Sequence, residues 1–170
     1  IKGQKNNLVH ICLALSSICF FLANSAWFYF NLYFENAIPY PSIADLLWLA
    51  FYLFSLISAT LIFVSQKPKI ENLFEILFIT IIVFFPLHSF MTQNLLPSFS
   101  VLIDVLNFLY PLLDAFLVAI FLTILRNNPV AQSVSLPFLF SFLYFTIADA
   151  LFAYQTSAQN YWNGNITDLT

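Results

Sequence analysis

Long, nearly unbroken runs of apolar residues alternate with short polar segments, and this pattern predicts five membrane-spanning helices. A helix needs about 20 mainly apolar residues to cross the roughly 30 Å hydrocarbon core of a bilayer. Proline, which has no amide hydrogen and tends to end helices, occurs in all four connections between the runs. The sequence therefore predicts an all-α fold, a polytopic transmembrane bundle forming a single domain of residues 1–170. Its predicted spans are residues 8–33, 42–64, 72–90, 99–125 and 130–154.

The composition supports a membrane location and argues against other classes of protein. Hydrophobic residues make up 61% of the 170 residues and charged residues only 8%, whereas soluble domains carry about 25% charged residues. Barrel strands are only about 10 residues long and alternate apolar with polar positions, so these continuous runs favour helices. The lipid bilayer is the expected partner. Nucleic acid is not expected, because the net charge is −3 and the chain has no basic run.

The basic residues predict how the helices are oriented. Cytoplasmic loops are enriched in lysine and arginine. If five spans start from a cytoplasmic N-terminus, every basic residue falls on the cytoplasmic side, namely Lys2, Lys5, Lys67, Lys69 and Arg126. The expected location is therefore the cell membrane, multi-pass, with an external C-terminal tail. The first apolar run far exceeds the 7–15 residues of a typical signal-peptide core, so we expect it to be retained as a helix.

Ionisable and amide side chains inside the predicted spans are the candidates for a functional site. A charge at the bilayer centre costs about 2.5–3.5 kcal/mol on insertion scales. The predicted topology places most of these side chains in the outer half of the membrane and Asp114 close to its middle. We expect an outward-facing polar pocket whose ligand is unknown, with no catalytic residue, metal or cofactor. The candidate residues are Asp45, His88, Asp104, Asn107, Asp114 and Asp149.

The acidic and amide candidates also have a structural interpretation. Ser42 and Asp45 have the spacing of a helix capping box, and Asp149 is equally consistent with an interhelical hydrogen bond. Asp104, Asn107, Pro111 and Asp114 recur at three- and four-residue steps, so they share one helix face. That face suits structural contacts between helices and a ligand or proton site equally well.

Small and aromatic residues are the expected contacts between helices, because both glycines lie outside the predicted spans. Alanine, serine and threonine allow close approach of two helices, and the 22 phenylalanines supply the remaining packing. Cys12 and Cys19 lie seven residues apart on the first helix, about 10 Å along its axis, which is too far for a disulfide. Two cysteines alone make no convincing metal site, so we interpret them as packing residues.

Motifs for catalysis and modification are few. The sequence contains no phosphate loop, dinucleotide fingerprint, zinc spacing or nucleophile elbow, so we do not expect an enzyme. Asn165-Ile166-Thr167 matches the acceptor pattern for N-glycosylation, and the predicted topology places it outside. Asn165 is therefore a candidate glycosylation site.

Three stretches together resemble a known family. They are Pro-Tyr-Pro-Ser-Ile-Ala-Asp at 39–45 with Trp48 and Tyr52, Tyr-Pro-Leu-Leu-Asp at 110–114, and Ile-Ala-Asp-Ala-Leu-Phe-Ala-Tyr at 147–154 followed by Tyr-Trp-Asn-Gly at 161–164. In this order they resemble the multi-helix membrane input region that precedes histidine-kinase or GGDEF output domains in bacterial and archaeal signalling proteins. The archaeal examples are the most similar.

The resemblance implies a role in signal transduction. It places Asp45, Asp114 and Asp149 at motif positions, but it implies no binding role for them, since the ligands of the family are largely unknown. It also implies either that the chain is truncated at its C-terminus, before further helices and an output domain, or that it is a stand-alone relative.

The leading interpretation is a non-catalytic sensory input module. A signal in the polar pocket would shift the packing of the third and fourth helices, which contain Pro86 and Pro111. One alternative is a structural or accessory subunit of a larger membrane complex, with other membrane subunits or a homodimer partner. The other alternative is a transporter or proton-relay fragment, suggested by the acids inside the membrane.

Overall fold

The computed structural model describes residues 2–33, 40–92, 101–127 and 132–157, and these ranges contain five α-helices and no strand. All five helices are long and apolar enough to cross a membrane. The all-α fold class and the five spans are therefore confirmed, and the chain is a multi-pass membrane protein. The helices are α1 (Lys2–Tyr33), α2 (Ile43–Ser65), α3 (Ile70–Thr92), α4 (Val101–Asn127) and α5 (Gln132–Ser157).

The observed helix ends differ most from the prediction at α1. Its apolar segment starts at Asn7, but the helix already begins at Lys2, six residues before the predicted start of the span. Apolar periodicity cannot detect this first turn and a half, because polar residues continue a helix into the aqueous phase without changing its backbone. The other helices start within two residues of the predicted positions.

The chain divides into two compact units. Residues 1–66 form the first unit and contain α1 and α2, and residues 67–170 form the second and contain α3, α4 and α5. The single domain predicted for residues 1–170 stays a prediction. The tail that carries Asn165 lies outside the described residues.

The first unit is a pair of helices joined through small side chains. Ser16 Oγ lies 2.6 Å from Ser55 Oγ and donates to the Phe51 carbonyl at 3.3 Å. Three alanines, Ala23, Ala44 and Ala59, are fully buried. Small residues let helix backbones approach closely in lipid, where no hydrophobic force drives helices together. The predicted use of serine at helix contacts is confirmed here by the Ser16–Ser55 contact.

Aromatic rings complete the contact between α1 and α2. Phe20 packs on Phe51 with ring centroids 5.2 Å apart, and Trp27 packs on Trp48 at 5.8 Å. Both pairs are tilted, an arrangement that the quadrupoles of aromatic rings favour over a flat sandwich. Trp48 is therefore a packing residue of the contact between α1 and α2.

The predicted capping box is present at the start of α2. Ser42 Oγ accepts the backbone N–H of Ala44 at 3.1 Å, and Asp45 Oδ2 accepts the backbone N–H of Ser42 at 2.6 Å. These bonds satisfy amide groups that have no partner inside the helix. At the other end, Lys67 follows the C-cap Gln66 with φ of 54°, in the left-handed region common just after helices.

The second unit is a three-helix arrangement in which α4 runs opposite to α3 and α5. Arg126, near the end of α4, forms an ion pair with Glu75, near the start of α3. The ring of Phe90 stacks on that of Tyr154, so the last turns of α3 and α5 lie together. Three successive crossings of a membrane require this up, down and up order.

Helix α4 is buried on all sides near its middle. Five consecutive residues are buried, Leu117, Val118, Ala119, Ile120 and Phe121, and they span more than the 3.6 residues of one turn. The ring of Phe121 stacks on both Phe138 and Phe142 of α5, with centroids 5.8 and 5.7 Å apart. The side chains of residues 117–121 are therefore surrounded by other parts of the protein.

The capping box predicts the response of α2 to substitution of Ser42. Ser42→Ala removes the side-chain acceptor and should lower the free energy of unfolding by about 1 kcal/mol, whereas Ser42→Gly should cost only a few tenths. Unfolding with increasing mole fraction of dodecyl sulfate in mixed micelles measures both variants. Equal stability of Ser42→Ala and the wild type would contradict a capping role.

Candidate functional site

Asp114 is the predicted site residue that the structure buries most completely. It stands at the midpoint of α4, with 13 residues on either side, and is 1% exposed. Pro111, one turn earlier, is also buried. Both α3 and α5 pack against α4, so this carboxyl group lies at the centre of the second unit and close to the predicted middle of the membrane.

The polar face of α4 runs from the surface into the interior. Asp104 lies in the first turn and is exposed, Asn107 is half-buried, and Pro111 and Asp114 are buried. An exposed carboxylate in a first turn is favoured by the helix dipole. The helix dipole therefore explains an acidic residue at position 104. It does not explain Asp114, which lies in the middle of the helix.

His88 lies in an aromatic cluster between α3 and α4. Its ring stacks on Phe84 at 5.2 Å with an interplanar angle of 13°, and it meets Phe108 edge to face at 5.5 Å. Phe84 and Phe108 also pack on each other at 5.1 Å. His88 Nδ1 is buried and has no hydrogen-bond partner among the described residues. The observed ring contacts of His88 are therefore with phenyl groups.

Asp45 is held by its own helix. It is 3% exposed, and its Oδ2 accepts both the backbone N–H and, at 3.0 Å, the hydroxyl of Ser42. This confirms the capping interpretation. Asp45 belongs to the first unit, whereas the other five candidates belong to the second, and the six-residue pocket stays a prediction.

Asp149 is half-buried on α5, between the buried residues Ala148 and Ala150. It lies two turns before the end of its helix, a region where the dipole does not favour an anion. Like Asp114, it is an acid inside a predicted span, and no effect of the helix ends explains it.

Three polar residues of the second unit escaped prediction from the sequence. Glu75 pairs with Arg126 at 2.6 Å. Thr123 and Ser135 are fully buried, and their hydroxyl oxygens have no hydrogen-bond partner among the described residues. The burial of Ser135 could have been predicted from its spacing, because steps of three and four residues place it on the same helix face as Phe138 and Phe142. No comparable signal marks Thr123.

A metal centre is not visible in the described ranges, where no three His, Cys, Asp or Glu side chains form a group that could hold an ion. Cys12 and Cys19 are both free thiols, and Cys12 is buried. Cys12 therefore sits among packing residues of α1, consistent with the behaviour of a small apolar side chain.

Comparison with known proteins identifies no relative. No protein-family model, curated protein or solved structure matches this chain.

The aromatic cluster predicts different effects for two substitutions of His88. His88→Ala removes a half-buried ring and should lower the free energy of unfolding by about 1–2 kcal/mol, less than the 3–5 kcal/mol typical of fully buried aromatic residues. His88→Phe keeps the ring and should stay within about 0.5 kcal/mol of the wild type. Dodecyl sulfate unfolding measures both. An equal loss for the two variants would mean that the imidazole nitrogens matter, as the polar-pocket hypothesis requires.

Proposed function

We propose that this chain is a non-catalytic input module of a signalling protein, embedded in the cell membrane with its N-terminus in the cytoplasm and its C-terminal tail outside. Five apolar helices make it an integral membrane protein. The burial of Asp114 at the midpoint of α4 is the observation that supports a sensory role most directly. Ionisable residues at this depth are expensive in a membrane, and each is by default a candidate for a functional site.

Pro111 gives α4 a place where its packing can change. Proline removes one backbone hydrogen bond and distorts the preceding turn, and Pro111 lies three residues before Asp114. A helix with a weakened turn next to a buried acid has the features of an element with two packings of similar free energy. A ligand or signal that favours one packing would shift the population toward it.

The proposed signal moves the half of α4 before Pro111 relative to α5. The other half of α4 is held by the stacked rings of Phe121, Phe138 and Phe142 and by the ion pair of Arg126 with Glu75. A structural or accessory subunit, the main alternative, needs no second packing. The two functions therefore differ in whether α4 has one conformation or two.

Distance measurements on either side of Pro111 test this proposal. In a Cys12→Ser, Cys19→Ser background, spin labels at Val105→Cys and Leu151→Cys report on the first half of α4 against α5. Labels at Leu122→Cys and Leu136→Cys report on the other half. All four labelled positions are exposed, so the labels should not disturb packing.

We expect the first pair of labels in lipid nanodiscs to give two distance populations, and the second pair to give one. Asp114→Asn should change the ratio of the two populations about fivefold, equivalent to about 1 kcal/mol. Double electron–electron resonance measures both distributions. One narrow distribution for the first pair, unchanged by Asp114→Asn, would contradict a sensory role and favour the structural subunit.

A further inference from the structure

The exposed face of α3 forms a shallow groove with an acidic end and an apolar floor. It is lined by Glu71, Phe74, Glu75, Leu77, Phe78 and Ile81. Phe74 and Phe78 are each 65% exposed, and Leu77 is 57% exposed. This groove, called the α3 groove below, lies wholly within the second unit and is separate from the candidate residues on α4.

The length of the α3 groove matches one leaflet of a bilayer. From Glu71 to Ile81 the helix rises ten residues, or about 15 Å, which is half of the roughly 30 Å hydrocarbon core. Glu71 lies in the first turn of α3, at the start of the candidate membrane span Ile70–Thr92. A groove that begins at the membrane surface and ends near the bilayer centre has the dimensions of one lipid, with its headgroup at the acidic end.

The charges at the acidic end favour a zwitterionic headgroup. Arg126 reaches Glu75 from α4 at 2.6 Å and has a side chain that is 66% exposed. Arginine has five N–H donors, so donors remain for a phosphate. Glu71, one turn away, is exposed, and no described lysine or arginine pairs with it. A headgroup with only a negative charge would leave the Glu71 carboxylate without a positive partner.

We propose that the α3 groove binds an aminophospholipid. Arg126 binds the phosphate, Glu71 accepts hydrogen bonds from the primary ammonium group, and Phe74 and Phe78 contact an acyl chain. Charge-assisted hydrogen bonds to an ammonium are stronger than neutral ones. A trimethylated choline headgroup carries the same charge but has no N–H to donate, so the site distinguishes the two headgroups. This inference does not depend on the proposed sensory function.

Native mass spectrometry of the detergent-purified chain tests the lipid preference. The probes are phosphatidylethanolamine, phosphatidylcholine and phosphatidylglycerol with identical acyl chains. We expect phosphatidylethanolamine to bind about fivefold more tightly than the other two, a modest factor because the charges are exposed. Glu71→Gln should abolish this preference. Ser141→Ala, which removes an exposed polar side chain of α5 that bonds only within its own helix, should leave it intact.

The acyl-chain contact has its own pair of variants. Phe78→Ala should weaken binding of all three lipids, whereas Phe140→Ala, which removes a phenyl ring that is 62% exposed on α5, should not. Equal binding of the ethanolamine and choline lipids would overturn the proposal, as would tightest binding of phosphatidylglycerol. A dimer of the chain that Phe78→Ala dissociates would show that a second copy covers the groove, and would also overturn it.

Discussion

The hydrocarbon core of a bilayer offers no hydrogen bonds, and this constraint determines how polar side chains are used in these helices. A polar group inside a span must find its partner within the protein. Eight of the described serine, threonine and asparagine side chains bond to the backbone carbonyl four residues earlier in their own helix. They are Ser17, Asn24, Ser25, Thr80, Thr92, Asn127, Ser141 and Thr146.

Because these polar groups are satisfied locally, few polar contacts remain to join one helix to another. The Ser16–Ser55 contact and the Glu75–Arg126 pair are two that do so. Close packing supplies other contacts: tilted aromatic pairs between α1 and α2, and stacked phenyl rings between α4 and α5. Against this background, a carboxyl group buried at the centre of α4 is unusual, and it carries the functional proposal for that reason.

Much of the fold could be predicted from the sequence because it depends on local properties. The length of an apolar run defines a span, and α2 to α5 start within two residues of their predicted positions. The Ser42–Asp45 spacing defines a capping box, which is present at the start of α2. The start of α1 was missed, since the polar residues that extend it carry no apolar periodicity.

The candidate site was less predictable, because it depends on which helix faces are brought together. Sequence spacing could place Asp104, Asn107 and Asp114 on one face of α4. It could not show that Asp104 is exposed to the surroundings while Asp114 is buried. The phenyl neighbours of His88 come partly from α4, and the partner of Glu75 lies 51 positions away. Contacts of this kind follow from tertiary packing, which helical periodicity does not encode.

The burial of α4 bears on how the protein is made. Ribosomes synthesise α4 after α3 but before α5, so the rings of Phe138 and Phe142 do not yet exist when Phe121 enters the membrane. During that interval Asp114 has only the earlier helices, lipid or the insertion machinery as neighbours. Synthesis of α5 then supplies the rings that stack on Phe121, so the contacts around the buried middle of α4 form in the order in which the helices are translated.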